Sequence, residues 1–160
     1  METINDIIKT VINRLQTVTE LKYIDKDWSQ LSYDPPAVKY PCALVDISSV
    51  SFQPVLLNSE LSELNLYITV ANLRLTPSSA ASKRKNDSFI TLDILEKIHA
   101  ALHLFSSDVF SPLVRESLEK ETLDSSEEIY RLTYRTSYKV KPRQNTVKVS
   151  AKPVIGASLT

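Results

Sequence analysis

Apolar residues form a helical stripe at the start of the chain. Ile4, Ile7, Ile8, Val11, Ile12, Leu15 and Val18 recur at the 3.6-residue period, with Asp6, Lys9, Asn13 and Thr17 on the opposite face. The spacing predicts a helix over residues 3–18, with Thr3 as its N-cap. Its polar face is mixed in charge, as on a core-facing helix; a membrane-surface helix would carry a basic one. The period then drops toward two. Residues 21–25 read as a short strand, and 27–41, with three prolines (Pro35, Pro36 and Pro41), as an ordered loop where ladder pairing cannot begin. A second strand over 42–52 turns Ala43, Val45 and Ile47 inward, and its phase changes near Ser48-Ser49. Residues 61–75 predict a third strand, in which Leu64, Leu66, Ile68 and Val70 alternate cleanly before Leu73 and Leu75 continue on the other phase. That slip predicts a β-bulge or bend near Ala71-Asn72.

The helical period returns after a polar stretch over 76–88. Ile90, Ile94, Ile98, Ala101, Leu102 and Phe105 make the apolar face of a second helix ending near Phe105. Pro112 opens a fourth strand running to about Leu123, whose many charges mark it as an edge. An acidic turn over 124–128 leads to the fifth strand. There Tyr130, Leu132, Tyr134, Tyr138 and Val140 share one face, and Arg131, Arg135 and Lys139 the other. This pattern describes a half-buried antiparallel hairpin with a basic outer surface. The expected fold is α+β: a mostly antiparallel sheet of about five strands packed by two helices, in the order α-β-β-β-α-β-β. Residues 1–140 form one domain, and 141–160, beyond Pro142, a basic C-terminal arm.

Length and composition narrow the class. A chain of 160 residues with 42% hydrophobic content can bury a core without metal or disulfide staples. One cysteine, Cys42, excludes an internal disulfide framework and suits a reducing compartment. The acidic, amphipathic start lacks the basic lead and apolar run of a signal peptide. No apolar stretch approaches the ~20 residues of a membrane helix, so the expectation is a soluble intracellular protein. The one glycine, Gly156, removes P-loop and dinucleotide-binding turns from consideration, because both need glycine for positive φ and close backbone approach. Turns fall instead to Pro, Asn, Asp and Ser.

Charge is unevenly divided. Twelve Lys/Arg and all nineteen Asp/Glu lie in residues 1–128, whereas 129–160 hold seven basic residues and no acidic one. A body at −7 and an end at +7 therefore hide within a net charge of zero. Such a chain attracts copies of itself head to tail, or offers a basic arm to a polyanion. The candidate contact residues are Arg131, Arg135, Lys139, Lys141, Arg143 and Lys148 (with Lys152 beyond them), and the loop cluster Lys83, Arg84 and Lys85. One use is protein–protein contact. The other is a nucleic-acid-binding accessory module working by phosphate neutralisation.

Catalytic candidates are sparse. Glu96, His99 and His103 share a helical face at metal-ligand spacing, yet that face lies away from the apolar stripe and no turn closes a coordination shell. Cys42 follows a proline at the head of a strand and reads as a buried thiol. The run Glu116, Glu119, Glu121, Asp124, Glu127 and Glu128 lacks the calcium-loop pattern and reads as a solvated hairpin tip. Asp25, Asp27, Asp34 and Asp46 are scattered. No catalytic, metal or cofactor site is assigned, and the chain is not expected to be an enzyme.

Three passages carry a resemblance. They are the opening helix leading to Leu21-Lys22-Tyr23-Ile24-Asp25, the proline-rich Pro35-Pro36-Ala37-Val38-Lys39-Tyr40-Pro41 before Ala43-Leu44-Val45-Asp46-Ile47, and the helix from Leu92 to Leu102 before a closing hairpin. In size, element order and these passages, residues 1–140 resemble the tail-terminator (tail-completion) proteins of tailed bacteriophages and related contractile injection machines. The resemblance implies a virion structural protein, assembled in the host cytoplasm, that forms a ring, typically a hexamer, capping the tail tube. Such a ring ends tube polymerisation and offers its upper surface to the neck of the head. The implied partners are further copies of the chain, the tube protein and a neck or head-completion protein. DNA would pass through the ring without specific recognition. The family pattern does not extend to a long basic tail.

Overall fold

The structure, a computed structural model, describes residues 2–55, 59–74, 81, 83, 88–121 and 126–140. Its elements are α1 (Glu2–Leu15), β1 (Tyr23–Lys26), β2 (Cys42–Val55), β3 (Ser59–Leu73), α2 (Ile90–Leu102), β4 (Val114–Glu121) and β5 (Glu127–Val140). A short 3-10 turn spans Gln30–Ser32. The five strands form one sheet in the order β1-β2-β3-β5-β4, antiparallel except for the parallel β1–β2 pair. The α+β architecture and element order are those the hydrophobic pattern predicts. No helix among the described residues is long and apolar enough to cross a membrane.

Both helices lie on one face of the sheet, where the period-two and period-3.6 stripes meet. Ile7, Val11 and Leu15 of α1 and Ile94, Ile98 and Leu102 of α2 bury against Val45, Leu64, Leu66, Ile68, Val70, Leu132 and Tyr134. Arg14 ties the helices together: its Nε donates to the Ala101 carbonyl at 2.9 Å, and its guanidinium lies 5.0 Å from the centroid of the Phe105 ring. α1 stops at Leu15, short of the expected residue 18, but Val18 still turns into the core.

α2 likewise ends at Leu102 rather than near Phe105. The reason is a left-handed residue, Leu104, at φ 61°, which reverses the chain. Glycine favours this position after a helix; in a chain so poor in glycine, a leucine takes it. The reversal is held by backbone bonds from Leu104 N–H to the Leu113 carbonyl and from Leu113 N–H to the Phe105 carbonyl. It brings Phe110 edge-on to Phe105, with ring centroids 5.9 Å apart.

The opposite face carries a second, smaller cluster of Cys42, Leu44, Ala71 and Ile129, covered by Tyr23, Leu31, Val38 and Tyr40. The proline-rich segment is thus the crossover that a parallel strand pair requires, and it lies on the sheet as a lid. Buried Gln30 anchors it, accepting from Trp28 N–H and donating to the Lys26 carbonyl, both at 2.8 Å. This lid overturns one expectation. The register of β3 with β5 runs without a break through Ala71-Asn72, and that with β2 shows no shift up to its end at Ala71, so no bulge occurs there. The change of apolar phase instead marks where the sheet becomes buried on its second face. The register shift in the β2–β3 pair falls between Ile47 and Ser49, where the change of phase in 42–52 places it.

Asp25 supports the lid from β1. Its Oδ2 accepts from the Tyr23 hydroxyl at 2.9 Å and the Trp28 indole N–H at 3.1 Å, and its Oδ1 from Lys26 N–H at 2.8 Å. Burial alone would raise its pKa, but the hydrogen bonds from Trp28, Tyr23 and Lys26 outweigh that and hold it below the usual value of 3.8. A depressed folded-state pKa contributes stability above the unfolded value, lost as pH falls through the folded one.

Two stability measurements follow from this packing. Ile68→Ala removes a fully buried side chain at the sheet–helix contact and should cost about 2–5 kcal/mol in urea unfolding. Asp25→Asn should cost about 1 kcal/mol at neutral pH. Its deficit relative to wild type should shrink in unfolding curves recorded below pH 3.8.

Candidate assembly surface

The basic residues expected to make contacts fall into three groups. Arg131 and Arg135 lie on the outer, helix-free face of β5, on the predicted side of the strand, but neither presents a bare cation. Arg131 pairs with Glu121 at 2.6 Å, and its guanidinium sits 4.8 Å from the centroid of the Tyr67 ring. Arg135 Nε pairs with Glu116 at 2.9 Å. Lys139 is exposed near the end of β5, beside an open groove of about 530 Å³ lined by Leu61, Ser107, Phe110, Ser111 and Tyr138. Lys83 is exposed. Lys141, Arg143, Lys148, Lys152, Arg84 and Lys85 lie outside the described residues.

The hairpin's outer surface is therefore not simply basic. The sequence reading missed the acidic partners of these arginines by treating residues 116–128 as a solvated tip. Glu116, Glu119 and Glu121 are strand residues of β4, and the antiparallel register sets Glu119 opposite Arg131. Glu127 and Glu128 begin β5: Glu127 accepts a hydrogen bond from the Tyr40 hydroxyl, and Glu128 pairs with Arg74 at 3.6 Å. Alternation of acids in β4 against bases in β5 was the available signal, but reading it requires the hairpin register. Both arginine pairs are half-exposed, so each contributes less than about 1 kcal/mol to the fold.

Exposed apolar side chains mark other surfaces. The far half of β2, over residues 51–55, is exposed throughout and carries Phe52 and Val55. On the lid, Trp28 and Tyr33 meet edge to face with centroids 5.7 Å apart, and both are about half exposed. On the helical side, Leu92 of α2 and Leu118 of β4 are exposed.

The remaining candidates have structural settings. The rings of His99 and His103 lie 4.7 Å apart. Burial, the Arg115 charge and His103 together lower the His99 pKa. Among the described residues, no three His, Cys, Asp or Glu side chains gather as a metal site would require. Tyr134 and Tyr138 are buried in the core, as their place on the inner face of β5 predicts. Cys42 is fully buried, and loss of hydration pushes its thiol up to about 12.

No protein-family model matches the chain, and no curated protein does. Among solved structures, a chain from the virion of a native gene transfer agent (GTA) particle is similar over 83% of this chain and 92% of its own, at 10% sequence identity and a TM-score of 0.48.

The setting of Cys42 fixes its reactivity. At neutral pH a thiol-specific reagent should leave it unmodified in the folded protein and label it at once in denaturant. Native-state labelling as fast as that of a free thiol would show that the lid does not cover it.

Proposed function

We propose that this chain is a non-enzymatic virion subunit that closes into a hexameric ring on the end of a phage-type tail tube. There it ends polymerisation and forms the surface that the neck of the head joins. The observation that carries this reading is the β2–β3 hairpin. Its β2 strand, over residues 51–55, presents Phe52 and Val55 to solvent although it is paired throughout with β3. Apolar side chains held exposed on an ordered strand add nothing to the domain's own core; an assembling subunit can bury them in a contact. The division of charge between body and C-terminal end favours a heterologous, ring-closing contact over a two-fold one. Because Arg131 and Arg135 are already paired with Glu121 and Glu116, the long-range attraction falls to Lys139 and the basic residues beyond Val140. The nucleic-acid reading loses its two central arginines for the same reason.

Native mass measurement and sedimentation of the protein, alone and with its tube protein, test the proposal. A closed oligomer of one stoichiometry is expected, weakening as salt rises because part of the attraction is screened charge. Removing residues 141–160 should leave the unfolding transition unchanged while lowering assembly. A strict monomer at every concentration, with and without tube protein, overturns the proposal.

A further inference from the structure

β4 is the last strand of the sheet, and among the described residues it pairs with β5 alone, so the backbone groups along its other edge have no ladder partner there. From Ser117 to Glu121 its register is unbroken. The two faces of the strand differ. On the inner face Arg115, Leu118 and Lys120 stand beside Tyr134, Leu132 and Tyr130 of β5. Leu118 is 44% exposed although Leu132 next to it is completely buried, so the apolar layer ends here in an open step. On the outer face stand Glu116, Glu119 and Glu121. Glu116 and Glu121 answer Arg135 and Arg131, which leaves Glu119 as the carboxylate of the three without an ion pair among the described residues. A strand added at this edge would extend both faces. It needs apolar side chains toward Leu118 and a cation toward Glu119.

The sequence beyond β5 has that pattern. Residues 146–152 (Thr-Val-Lys-Val-Ser-Ala-Lys) alternate Val147, Val149 and Ala151 with Lys148, Ser150 and Lys152, and Pro142 and Pro153 bracket the segment. Antiparallel pairing that sets Lys148 opposite Glu119 sets Val149 beside Leu118 and Val147 beside the stem of Lys120. A one-residue slip would bring lysines against Arg115 and Lys120 instead, so charge selects the register. A subunit cannot fill its own edge in this way. The segment would have to enter at Glu121, whose partner Ile129 lies ~37 Å back along β5 from Val140, whereas the stretch from Val140 to Thr146 reaches at most ~22 Å. We propose that residues 146–152 of one copy add a strand to the sheet of the next, antiparallel to β4, with Lys148 meeting Glu119 and Val149 packing on Leu118. Each copy gives one strand and receives one, the heterologous exchange that a closed ring uses. The inference rests on the reading of the chain as a ring subunit and specifies its contact.

Cysteine pairing tests the contact in the full chain. Glu119→Cys alters an exposed side chain, Lys148→Cys a residue beyond the last strand, and the native Cys42 is buried. Under mild oxidation, disulfide-linked dimers should form when the two variants are mixed and not when either is alone. A second test exchanges charge. Glu119→Lys should weaken self-association about fivefold, and adding Lys148→Glu should restore it. Crosslinking of either cysteine variant to itself, at the yield of the mixture, would overturn the inference. An intrachain disulfide in the Glu119→Cys, Lys148→Cys double variant would do the same, by laying the segment on its own subunit. Assemblies of normal size without crosslinks in the mixture also overturn it and leave the ring reading intact. Absence of any assembly removes both.

Discussion

The molecule depends on β3 being hydrogen-bonded along nearly its whole length on both edges while its inner face is buried against the helices. Its 15 residues pair with β2 on one side and β5 on the other. One set of side chains, Leu64, Leu66, Ile68 and Val70, meets the helices; Ala71, on the other, meets the lid. Every other element takes its place from this strand. α1 and α2 are positioned by the stripe they bury against it, and β1 and β4 are edges because β2 and β5 have already taken its two sides. This one buried face fixes register strongly, since a one-residue slip would turn Leu64, Leu66 and Ile68 outward and carry Glu63 and Asn65 into the core.

Electrostatics plays a different part at each scale. Within the subunit, β4 and β5 alternate acids against bases, so the outer face of the closing hairpin is locally compensated. Across the whole chain, compensation fails: the C-terminal residues carry cations that the body does not answer within its own sequence neighbourhood. Short-range pairs of this exposed kind contribute little to stability. Net asymmetry between the ends steers association and orientation, where long-range charge has its larger effect.

The two helices and the inner face of β3 were legible in the sequence because a single period governed each. Ile7, Val11 and Leu15, or Leu64, Leu66 and Ile68, identify their element without knowledge of any other. The edge character of β4 was legible from its charge. Ala71 and Leu73 misled because a second buried face shifts the apolar phase as a bulge would, and only the lid over Ala71 separates the two explanations. The end of α2 was displaced because Leu104 does what a glycine does elsewhere, and nothing in a leucine signals positive φ. The partners of Arg131 and Arg135 were hidden because they depend on register across a hairpin.

The way the N-terminal region wraps the sheet has a consequence for synthesis. The proline-rich lid lies over Cys42, Leu44 and Ala71, and also over Ile129 of the last strand. Contacts of such long sequence separation close late, because loop entropy must be met before they form. The lid therefore has no complete surface to settle on until β5 has left the ribosome.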